Sequence, residues 1–69
     1  MIETRWIGGG KNKDKSEWEL YITIIKIYEP HFRMAAKREF YIAVSKTQAT
    51  FLHTRRGAEA WLRRMGADV

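Results

Sequence analysis

Residues 17–30 read EWELYITIIKIYEP, and their alternation constrains this chain more than any other feature. Trp18, Leu20, Ile22 and Ile24 fall on even positions, with Glu17, Glu19, Tyr21 and Thr23 between them. Successive side chains of a strand point to opposite faces, so this order makes one apolar face and one mixed face. A helix would scatter the same residues around its circumference. The β-branched and aromatic filling also suits a half-buried strand. The run ends at Glu29-Pro30-His31, where proline removes a ladder N–H and invites a turn. One strand has no stability alone, so the rest of the chain must supply its neighbours.

Those neighbours are visible on both sides. IETRWI reads as a short first strand, and GGGKNKDKS, residues 8–16, as a mobile loop, since three glycines followed by alternating charges bury nothing. After the proline, HFRMAAKREFYIAVSK has two readings over residues 30–39. As a strand, it puts Phe32, Met34, Ala36, Phe40, Ile42 and Val44 on one face, interrupted by Arg38. Arg33, Lys37, Glu39 and Tyr41 then take the other. As one or two helical turns, it would place Pro30 at the first helical position. EFYIAVS is a strand in either case. KTQATFLHT forms a short last strand, and whether Phe51 or Leu52 faces inward stays open, because a one-residue slip exchanges the faces.

A helix closes the sequence. Thr54 is a good N-cap, and Ala58, Trp61, Leu62 and Met65 recur at i, i+3, i+4 and i+7 as a narrow apolar stripe. Glu59 and Arg63 are spaced to pair on the outer face, and Gly66 suits a left-handed cap. Arg55 and Arg56 stand in the first turn, where the macrodipole disfavours cations. The expected fold is therefore α+β: a small antiparallel sheet of three to four strands with one C-terminal helix packed on one face, residues 1–69 forming a single domain.

At 69 residues the chain is near the lower size for an independent core, and with no cysteine it has neither disulfides nor a zinc-thiolate site. Three Trp, three Tyr and three Phe argue against disorder. The longest apolar run is too short to span a bilayer, which implies a cytoplasmic protein without membrane attachment. Neither histidine lies in a carboxylate relay pattern, and no phosphate-binding glycine loop or ligand cluster is present, so neither catalysis nor a cofactor or metal is expected. The net charge of +5 is unevenly spread. Five bases and five acids cancel over residues 1–30, whereas residues 31–67 hold eight bases and two acids. That asymmetry points to a polyanionic partner.

The segment LHTRRGAEAWLRRMG resembles the strand-to-helix junction of the arm-type DNA-binding domains of phage and transposon tyrosine integrases. These share a three-stranded-sheet-plus-helix fold with the plant ethylene-response-factor domain. Leu52, Thr54, Ala58, Trp61 and Leu62 stand where those domains place a strand-ending apolar residue, a Thr, an Ala, and the aromatic and Leu of the packed helix. The resemblance implies that the outer sheet face enters the DNA major groove, with Arg33, Lys37 and Tyr41 reading bases beside Tyr21 and Thr23. Glu17 and Glu19 on that face depart from such a role.

Two functions follow as expectations. One is a small non-catalytic module binding double-stranded DNA, such as a mobile-element accessory factor. Arg33, Lys37, Lys46, Arg55 and Arg56 would meet phosphates and the sheet, Tyr41 included, would meet bases. The other is a phage- or plasmid-type inhibitor that docks on a host protein or nucleoprotein complex. Either is compatible with a homo-oligomer joined through a strand edge near Ile25, Ile27 and Tyr28.

Overall fold

The structure, a computed structural model, describes the backbone of residues 1–29 and 32–69 and the side chains of residues 1–27 and 36–69. The elements run β1 (Ile2–Lys11), β2 (Glu17–Glu29), β3 (Phe32–Ser45), β4 (Gln48–Leu52) and α1 (Arg55–Arg64). The strands form one antiparallel sheet in the order β1-β2-β3-β4, and α1 packs on it across β3 and β4. The α+β expectation holds. From Phe32 onward the chain is strand, which decides for the extended reading there; Pro30 and His31 lie outside the described residues.

Gly8, Gly9 and Gly10 belong to β1, opposite Leu20, Glu19 and Trp18, so the loop expected over residues 8–16 shrinks to the turn that starts at Asn12. The glycines are there because two tryptophans lie over them. A Cβ on Gly10 would sit 3.1 Å from Trp18 Nε1, and one on Gly9 would sit 3.2 Å from Trp6 Cζ2. Aromatic rings laid across strand glycines recover the packing that glycine lacks. A bulge between Trp6 and Gly8 lets Ile7 join the core while Trp6 stays on the opposite face.

The helix covers the less apolar face of β3. Register sets Ile42 opposite Tyr21 and Phe40 opposite Thr23, and it sets Ala43 opposite Leu20 and Ser45 opposite Trp18. Helix α1 therefore covers the face of Trp18, Leu20, Tyr41, Ala43 and Ser45. Phe40, Ile42 and Val44 lie on the other side. The reason is steric: Ala43 and Ala58, both fully buried, let the helix approach the sheet more closely than Ile42 or Phe40 could. Leu52 joins this core and Phe51 points away, 71 % exposed, which resolves the open question on β4.

Local chemistry fixes both helix ends. Thr54 accepts a hydrogen bond from the Gly57 N–H at 3.0 Å. At the other end Gly66, at φ +101°, permits a Schellman closure. Ala67 N–H donates to the Leu62 carbonyl and Gly66 N–H to that of Arg63, both at 3.0 Å. The closure buries Ala67 and joins the helix end to the first turn, where Lys13 N–H donates to the Gly66 carbonyl. Asn12, buried at that junction, donates to Ser16 and Ser45 hydroxyls at 2.8 Å each.

The core thus sits at one end. Its buried residues are Trp18, Leu20, Ala43, Ala58, Leu62 and Ala67, while β2 and β3 run on well past the helix. The molecule is long, 52 × 16 × 16 Å, with a radius of gyration of 14.5 Å where a compact chain of this size would have about 11 Å.

Candidate nucleic-acid interface

Strand register sorts the charges of this sheet onto its two faces. On the helix-bearing side, Glu3, Arg5, Lys26, Lys37 and Glu39 project from the part of the sheet that α1 leaves uncovered. The helix adds Arg55, Arg56, Glu59, Arg63 and Arg64. Among the described residues that side carries seven cations against three carboxylates. The opposite, open face carries Lys11 and Arg38 against Glu17 and Glu19, which cancel among the described residues. So most of the chain's +5 charge is displayed on one side.

The sequence-predicted residues are divided by this arrangement. Lys37 lies on the helix-bearing side, 3.1 Å from Glu39 and opposite Lys26. Tyr41 shares that side but packs against the core, so its ring is a structural element beneath the helix start. Tyr21 and Thr23 lie on the open face, which corrects the expectation that they stand beside Lys37 and Tyr41. Arg33 belongs to β3, with its side chain outside the described residues. Lys46 is at the opposite end of the molecule, in the β3–β4 turn at φ 60°, and pairs with Asp14 at 3.2 Å.

The four helix arginines also differ from expectation. Glu59 pairs with Arg55, one turn back, at 3.2 Å, and not with Arg63. Arg63 donates instead to the Val69 carbonyl at 3.2 Å. Among the described residues Arg56 and Arg64 have no ion pair, and both are exposed. Arg56 stands in a first turn without any acidic residue, where the helix dipole is unfavourable to it. Lys26 likewise has no described carboxylate partner.

Electrostatics elsewhere is local. The Ser16 hydroxyl and backbone N–H, followed by Lys46, hold the Asp14 carboxyl down to about 2. Arg5 lowers the pKa of Glu3, and Glu19, which accepts a hydrogen bond from the Tyr21 hydroxyl, raises that of Tyr21. None of these groups is buried in a cleft of the kind that tunes catalytic residues.

The apolar patch expected at a strand edge near Ile25, Ile27 and Tyr28 is placed differently: β2 lies between β1 and β3, so Ile25 and Ile27 belong to the open face of the sheet. Ile2, Trp6 and Phe51 are exposed there beside Ile25, Ile27, Phe40 and Ile42. The signal was present in the unbroken run Ile24-Ile25, where alternation ceases and both faces become apolar. Among the described residues no helix is long and apolar enough to cross a membrane. No family model, curated protein or solved structure matches the chain.

Proposed function

We propose that the protein is a small non-catalytic module that binds double-stranded DNA through its helix-bearing side. One observation carries this reading: among the described residues, seven cations stand against three carboxylates on that side, and none is in excess on the other. Arg56, Arg64 and Lys26, without described carboxylate partners, are the phosphate contacts. Arg55 and Lys37 stand beside them and exchange Glu59 and Glu39 for phosphate on binding. Such contacts position a duplex without reading its sequence.

The salt dependence of binding tests the proposal. With about five phosphates neutralised, the log–log slope of affinity against salt is roughly −4.5, and replacing Arg56 or Arg64 by Ala reduces it by about one unit each. A fluorescence titration on a short duplex at several salt concentrations measures both. Absence of duplex binding at low salt overturns the reading.

The open apolar face favours a second reading, a module that docks on another protein as an inhibitor would. Capture from a lysate with and without nuclease separates the two. A bound protein that survives nuclease treatment supports docking, whereas loss of everything captured supports nucleic acid.

A further inference from the structure

We infer that the open face of the sheet is a homodimer interface, covered by a second copy of this chain packed face to face and end for end. A sheet normally buries an apolar face against another layer, and here α1 occupies only the other side. Ile2 and Phe51 are each 71 % exposed, Trp6 60 % and Ile27 49 %. Eight residue steps of about 3.3 Å along β1, β2 and β3 at about 4.8 Å spacing, with β4 beside half of that length, make a flat face of roughly 450 Å² before side-chain relief. That is of the order each partner contributes to a standard interface, about 800 Å².

Charge selects a copy of the same chain and sets its orientation. The described charges of this face cancel, so they do not drive two copies apart, whereas those of the helix-bearing sides would. On the open face Lys11 is paired with Glu17 at 3.0 Å. Glu19 and Arg38 are left without ion pairs among the described residues. Glu19 stands opposite Val44 and Arg38 opposite Ile25, each three residues from the Ile22–Tyr41 pair, on opposite sides of it. A two-fold axis lying between the sheets, across the strands at that pair, exchanges the two rows. Each Arg38 then comes over Val44 of the partner subunit, beside the partner's Glu19. Glu19 lines an open notch of about 230 Å³ with Trp6 and the paired Lys11 and Glu17, so a guanidinium there finds an unpaired carboxylate and an indole. The other face-to-face two-fold, along the strands, would keep each row over itself and bring Arg38 into the row of the partner's Arg38, and Glu19 into that of the partner's Glu19. Isologous contact with reversed ends is therefore the arrangement that the charges allow.

Sedimentation equilibrium on the full chain without nucleic acid tests this independently of the DNA-binding proposal. The expected particle has twice the 8.2 kDa chain mass. Phe51→Glu, Arg38→Glu and Glu19→Arg each weaken association about tenfold or more, and combining Arg38→Glu with Glu19→Arg restores it to within about threefold of wild type. All three positions are exposed, and circular dichroism verifies that each variant is folded. A chain that stays at 8.2 kDa up to near-millimolar concentration overturns the inference, whatever else binds this face. So does a dimer indifferent to these substitutions, and failure of the double variant to recover overturns the end-for-end arrangement.

Discussion

Asp14 shows how much one side chain organises the core end of this sheet. Its carboxylate accepts from the Ser16 hydroxyl and, at 3.1 Å, from the Ser16 N–H, and pairs with Lys46 at 3.2 Å. Ser16 in turn accepts from buried Asn12, whose amide also reaches Ser45 beneath the helix. The carboxyl pKa falls from the ordinary 3.8 to about 2 for these reasons, Ser16 first. A depressed carboxylate pKa contributes stability above the unfolded value and loses it as pH falls through the folded one. The window here is therefore pH 4 to 2. Asp14→Asn is expected to be less stable than wild type at pH 7, with the difference shrinking from pH 4 and nearly gone at pH 2. Urea melts at those three values check the sign, and a difference that persists at pH 2 would show that the carboxylate charge is not its source. Because Asp14 is exposed, the effect is small and weakens with salt.

Among the elements, β1 departs furthest from its sequence appearance, and its glycines separate propensity from packing. Glycine is a poor strand residue, so propensity alone expects Gly8→Ala and Gly10→Ala both to stabilise. The structure distinguishes them. A Cβ on Gly8 meets Trp18 at an ordinary 3.8 Å, while on Gly10 it meets Trp18 Nε1 at 3.1 Å, against a ring that the core holds in place. Gly8→Ala is expected to stabilise by about 0.5 kcal/mol. Gly10→Ala is expected to cost about 1–2 kcal/mol through overpacking. Denaturant melts of the two variants decide it, and equal shifts of one sign would remove the steric account. The same contrast explains what was legible in the sequence. Thr54, Gly66 and the Ala58–Leu62 stripe act through neighbours a few residues away, and they stand where periodicity and capping rules put them. The β1 glycines, the face of Tyr41 and the Arg55–Glu59 pair depend on which residues lie across a strand or one turn back. A pattern in one dimension leaves those choices open. The candidate site suffered most, because its residues came from both faces of one sheet.

At the scale of the molecule, the 5232 Å² surface exceeds the roughly 4,500 Å² expected of a compact monomer of this mass, and much of the surplus belongs to a sheet with one uncovered face. A helix-bearing cationic side and an apolar open side lie back to back across a single layer of strands. If copies join through their open faces, their cationic sides point away from each other and cannot both grip one straight duplex. The dimer would hold two duplexes, one on each side. Substitutions on opposite sides of the sheet share no partner, so their effects separate. Phe51→Glu is expected to leave the affinity for a single short duplex unchanged while abolishing the joining of two. Arg56→Ala should weaken both and leave the sedimenting mass as it is. Two duplexes carrying different labels, one immobilised and one in solution, provide the measurement. Wild type at low salt retains the soluble duplex on the immobilised one, and Phe51→Glu does not. Retention by Phe51→Glu equal to wild type would show that the two duplexes meet on one cationic side, and the separation of roles between the faces would fail. A wild-type protein that binds each duplex singly and never joins them would count against the back-to-back arrangement, even if dimer and DNA binding were each observed alone.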